Sequence, residues 1–171
     1  RARSLVPVAL ATATAAGVRL AFEGGEPVFH MPDISPPAGI ALATYIVVGA
    51  LIGVAAVVVT RAVYAIEDAF EHLPVHWMWW PALGAVVVGV VGYFAPRTLG
   101  VGYYNITDIL KGGSAIGPVN LVLWLCLMKF VSWSISLGSG TSGGTLAPLF
   151  TMGGGMGLGL GALAQRLLPH A

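Results

Sequence analysis

The chain has 171 residues, 57% of them hydrophobic and only 9% charged, with a mean hydropathy of +0.86 and a formal net charge of +1. A soluble domain carries about 25% charged residues, so the deficit points to lipid as the solvent. The near-zero net charge gives no basis for binding nucleic acid or an acidic partner. The single cysteine, Cys126, lies in an apolar run. It excludes an internal disulfide, offers no metal cluster, and reads as a small buried hydrophobe.

A membrane helix needs about 20 mostly apolar residues. Leu5–Leu20 is a short candidate rich in Ala and Thr, with Pro7 near its start and Arg19 near its end. The segment Glu23–Pro36 holds acids, His30 and prolines, and is expected to be an exposed loop. Pro37–Val59 is uncharged and ends at Arg61. Ala65–His72, with Glu67, Asp68 and Glu71, is expected to carry that helix out of the bilayer. Trp77–Phe94 opens on Trp77, Trp79 and Trp80, which suit a membrane interface. Ala95–Tyr104 contains Pro96, Gly100 and Gly102 and reads as a turn. Asn105 is expected to cap a short helix through Lys111, with Asp108 at the capping-box position. Pro118–Leu137 is broken only by Lys129, and Thr145–Leu168 has no charge before Arg166. The fold class expected is therefore all-α and polytopic, five long helices plus one short one. Loop charges are too scattered to fix orientation. The chain begins at Arg1 with no signal-peptide pattern ahead of Leu5, and is expected to be a fragment whose activity needs further chain.

The informative stretch is Leu137-Gly-Ser-Gly-Thr-Ser-Gly-Gly-Thr-Leu-Ala-Pro148. Glycines and hydroxyl residues from Gly138 to Thr145 cannot continue a stable helix. Lipid would leave such backbone unpaired, at a cost of several kcal/mol per group, so it must face protein, water or a ligand. The next helix should start near Thr145, with Pro148 in its first turn, where a missing N–H does no harm. First-turn amides have no internal acceptor and sit at the positive end of the helix dipole. Glycines ahead of them allow close approach. A small anion can bind there with about 0.3–1 kcal/mol of stabilisation in water and up to about 2 when partly buried. Such weak binding suits conduction. Close helix packing is the competing role for glycine. It fits Gly153, Gly154, Gly155, Gly157, Gly159 and Gly161, while both readings stay open for Gly138–Gly144.

Other residues have bland readings beside sharp ones. A charge such as Lys129 at mid-membrane costs roughly 2.5–3.5 kcal/mol on insertion scales. It should therefore face protein or water, either bonding a helix end or enriching anions in a vestibule. Gly140-Thr-Ser142-Gly-Gly144 matches the Gly-x-Ser-x-Gly nucleophile pattern but lacks its strand–turn–helix setting. The histidines His30, His72, His76 and His170 fall in loops or ends, and His72 and His76 lack a third metal ligand. Tyr103 and Tyr104, beside Gly102, suit an interface anchor or a pore-facing position.

Gly138-Ser-Gly-x-Ser-Gly-Gly-Thr-Leu-Ala-Pro148, followed by Leu149-Phe150 and a glycine-rich helix, resembles the signature around helix N of the CLC chloride channels and transporters. The family pattern is Gly-x-Phe-x-Pro; here Gly144, Ala147 and Pro148 fit, and Leu146 replaces the phenylalanine. Gly92-Tyr-Phe-Ala-Pro-Arg-Thr-Leu-Gly-Val-Gly-Tyr103 is similar to the family's link between helices K and L, and Lys129 falls where helix M often has a basic residue. The resemblance implies that the chain runs from about helix I through helix N. Residues 1–22 would end the first of two inverted halves, and 36–171 would begin the second. It implies chloride, or a similar anion, as ligand with no cofactor, and no enzymatic activity. The anion site would comprise Gly143, Gly144, Thr145, Leu146 and Ala147, with the amides of Thr145 and Leu146 as donors. It also implies a multi-pass protein of the cell membrane in contact with the lipid bilayer. The full-length protein would be a homodimer, with the first helix here at the dimer contact. The family's gating and proton glutamates would precede Arg1 and its pore tyrosine would follow Ala171, so channel and chloride/proton exchanger both stay open. Rival functions are a membrane scaffold whose glycines only pack helices, and an intramembrane serine hydrolase using Ser142.

Overall fold

The computed structural model describes residues 5–27, 29 and 39–167. His30, His170 and most of the Glu23–Pro36 loop lie outside these residues. The described elements are helical: α1 (Leu5–Glu23), α2 (Ile40–Glu71), α3 (Trp80–Phe94), α4 (Tyr103–Leu110), α5 (Val119–Gly138) and α6 (Leu146–Leu167). Single 3₁₀ turns at Trp77–Trp79 and Pro96–Thr98 flank α3. Leu5–Glu23, Ala41–Glu71, Trp77–Phe94, Val119–Gly138 and Leu146–Leu167 are long and apolar enough to cross a membrane. The all-α, polytopic expectation holds.

The chain forms two compact units, residues 1–30 and 31–171. In the first, α1 buries none of its side chains. Thr12 and Thr14 each donate a hydroxyl to the carbonyl four residues back, Val8 and Leu10 respectively. This is the usual way for a membrane helix to satisfy hydroxyls within itself. At its end Arg19 pairs with Glu23 at 3.0 Å and donates to the Glu26 carbonyl.

In the second unit α5 is the central helix, packed against α2, α3 and α6, while α4 lies against α6. Small residues set these crossings. A Cβ at Gly138 would come within 2.8 Å of Ile66 Cγ2 on α2, and one at Gly84 within 2.5 Å of Ser139 Oγ. One at Gly155 would fall on the Cys126 sulfur. Dispersion is the main attraction between helices in lipid, and close backbones maximise it. Ile109, Val122 and Cys126 form the resulting core cluster of α4 and α5. Cys126 is buried there, its thiol donating to the Thr151 carbonyl at 3.4 Å.

The long α2 runs unbroken to Glu71, so its charged end is helical as expected. The two described histidines have local roles in the link to α3. His72 Nδ1 contacts the Asp68 carbonyl at 2.7 Å, and His76 Nδ1 accepts from the Met78 amide. Among the described residues no group of three or more metal-ligating side chains is assembled.

Asn105 does not cap α4. The helix starts two residues earlier, after Gly102 in the left-handed conformation (φ 82°), and Asn105 lies inside it, fully buried. Its side-chain amide donates to the Arg97 carbonyl at 2.7 Å. Asp108 pairs with Arg97 at 3.0 Å and closes no capping box. The local N-cap signal was overridden because tertiary bonds needed both side chains elsewhere.

Candidate anion site

Helix α5 ends in a Schellman motif. Gly140, with φ 81°, donates to the Leu137 carbonyl at 2.9 Å, and Thr141 donates to that of Ser136 at 3.2 Å. The left-handed residue turns the chain sharply, which is why glycine occupies it. Residues 141–144 then run without regular structure into α6. Gly143 and Gly144 are exposed, with open space where a side chain would be. Thr145 and Leu146 are exposed too, and Ala147 is buried.

The Thr145 carbonyl accepts from Leu149 at 3.2 Å, closing the first turn of α6. Among the described residues the amides of Gly144, Thr145, Leu146 and Ala147 have no acceptor. Pro148 has no N–H to satisfy. Gly144, Thr145, Leu146, Ala147 and Pro148 all border one cavity of about 530 Å³. The opposite walls come from the 95–103 link and from α5, and include Thr98, Gly100, Tyr103, Lys129 and Ser132. Four of the five expected site residues meet this cavity; Gly143 stands next to it in sequence and does not line it.

Lys129 is buried at 5% exposure in the middle of α5. Its ammonium donates to the Thr98 carbonyl at 2.8 Å and to the Gly100 carbonyl at 2.9 Å. Thr98 closes the 3₁₀ turn after α3, so Lys129 does bond a helix end. It also borders the cavity. Together with Asn105, it holds three carbonyls of the link, those of Arg97, Thr98 and Gly100. Tyr103 is on the cavity wall and half exposed, as is Tyr104 away from it.

Sequence reasoning missed Thr98, Ser132, Trp133 and Ser136 on this wall. A signal existed for three of them. Positions 129, 132, 133 and 136 follow i, i+3, i+4, i+7 spacing, one face of a helix. Asn105, expected as a cap, lies inside α4 and holds the link through the Arg97 carbonyl.

The packing role expected for six glycines of α6 holds for three. Positions for a Cβ at Gly154, Gly155 and Gly159 meet Ile109, Cys126 and Leu123. Gly153, Gly157 and Gly161 meet nothing within 4 Å. Gly157 and Gly161 line a cavity between α6 and α2, which Tyr45 and Val48 also border.

Five helices long and apolar enough to cross a membrane define a multi-pass integral membrane protein. The family model described as voltage gated chloride channel matches residues 1–171. The chain belongs to that family. It is 30% identical over 154 residues to the H(+)/Cl(-) exchange transporter ClcA of Vibrio vulnificus, covering 87% of this chain and 32% of that protein. It is 28% identical over 170 residues to chloride channel protein CLC-f of Arabidopsis thaliana, covering 96% and 22%. Chloride channel protein CLC-e of the same plant is 30% identical over 173 residues, covering 92% and 24%. The chain thus spans a third or less of the length of these relatives. No solved structure matches it.

Proposed function

We propose that this chain forms part of the path by which its full-length protein moves chloride, or a similar anion, across a membrane. The observation that carries the reading is the set of amides at the start of α6. They lack acceptors among the described residues and border a cavity that also contains a buried lysine. The amides of Thr145 and Leu146 are the donors, Gly143 and Gly144 permit the approach, and Ala147 and Pro148 seat the first turn. Leu146 in place of phenylalanine leaves its amide intact and changes only the wall of the path. A recess that offers unpaired N–H groups at the positive end of a helix dipole, with a lysine on its wall, selects for anions through charge and geometry. It holds them weakly enough for release.

The relatives' names carry both chemistries, proton-coupled exchange and channel conduction. Residues 1–22 would close the first half of the full fold and 36–171 open the second. The full-length protein would be a homodimer in the cell membrane, with the exposed α1 a candidate for the contact between subunits. A hydrolase finds no support here. Ser142 lies exposed in an irregular loop, without a hydrogen bond to a base among the described residues.

The test is Thr145→Pro in the full-length protein, which deletes one amide just ahead of α6, where no backbone hydrogen bond is lost with it. Losing one hydrogen bond of about 0.5–1.5 kcal/mol should weaken chloride affinity roughly 2–10-fold. Unchanged affinity in a folded variant would remove these amides from the anion site.

A further inference from the structure

Lys129, Ser132, Trp133 and Ser136 share one face of α5 and border the cavity. The rest of that helix is largely apolar, and a polar stripe in a membrane helix must face protein or a water-filled space. The stripe consists mostly of donors. An ammonium has three N–H groups, and two are taken by the Thr98 and Gly100 carbonyls. The Ser132 residue is 94% buried, by its 6% exposure, yet its hydroxyl has no partner among the described residues. The indole N–H of Trp133 is enclosed and also has no acceptor. No carboxylate among the described residues lies within ion-pair distance of Lys129; the two ion pairs present are Arg19–Glu23 and Arg97–Asp108. Carbonyl dipoles solvate a buried cation but leave its net charge uncompensated.

We propose that this wall of the cavity is a second anion position, separate from the amides at the start of α6. Lys129 supplies the charge, and Ser132 supplies the directional hydrogen bond. The proposal rests on the reading that the cavity takes anions. Its chemistry limits the ligand. One ammonium, a hydroxyl and an indole N–H suit a small monovalent anion of halide type, and would leave a phosphate or sulfate with most of its charge unpaired. A neutral water could fill the hydrogen bonds but would leave the lysine without a counter-charge. Ser136, one turn further along the same face, offers a further hydroxyl on the same wall. Two positions in one cavity let one anion displace another, the condition for rapid turnover with weak sites.

Bromide anomalous diffraction on crystals of the full-length protein, over a series of bromide concentrations, tests this. Two peaks are expected in the cavity, one at the Gly144–Leu146 amides and one within hydrogen-bond distance of Ser132 Oγ on the Lys129 side. Ser132→Ala, a small change that keeps the helix, should lower the occupancy of the second peak at least threefold and leave the first unchanged. A peak only at the amides overturns the second position and leaves the proposed function standing. A peak only beside Ser132 supports the second position and overturns the amide site. An empty cavity overturns both. A second peak indifferent to Ser132→Ala overturns the part assigned to that hydroxyl.

Discussion

The glycines on either side of Leu146 do opposite things. Gly143 and Gly144, ahead of α6, have open space around them and leave the next amides unpaired. Gly154, Gly155 and Gly159, inside α6, are pressed against side chains of α4 and α5. The same absence of a Cβ gives access in one place and close contact in the other. Composition alone cannot separate these uses. The difference lies in whether another helix occupies the space that a side chain would have filled.

The sharpest way to break that comparison is Gly155→Leu in the full-length protein. Its side chain would collide with Cys126 and Val122 in the core. Overpacking of this kind costs about 3 kcal/mol, so a large fall in the thermal midpoint in detergent is expected. A wild-type midpoint would mean that α5 and α6 do not cross so closely. Lys129→Met comes next. It leaves the Thr98 and Gly100 carbonyls without their donor, and a loss of about 2 kcal/mol follows. Lys129→Arg should recover part of this, because it restores charge and donors at a different reach. If Lys129→Met were as stable as the parent, the lysine would be no strut for the 95–102 link. Thr145→Pro, at the open end, should leave the midpoint nearly unchanged while it weakens chloride affinity by the modest factor given above. The smallest effect belongs to Gly157→Ala, which meets nothing within 4 Å. Its midpoint should stay within about 0.5 kcal/mol of the parent's stability. A clear fall would show that another segment of the full-length protein packs against that face.

Sequence legibility followed the range of the forces involved. The five spans were readable because bilayer thickness and hydropathy act on each segment separately. Helix α2 kept its charged tail as read, and Pro148 fell in the first turn of α6. Asn105 went wrong for the same reason the spans went right: a cap is a local signal, and here a distant carbonyl outcompeted it. Ser132 and Trp133 became visible only when α5 was set beside the 95–103 link and the start of α6. By itself, then, the sequence determined the solvent, the spans, and the place where helix gives way to glycine-rich backbone. Tertiary structure alone decided which glycines face a neighbour, which carbonyls the buried lysine holds, and which wall the α6 amides share. Local rules act between residues a few positions apart, whereas the cavity is made by segments that meet only after the helices pack.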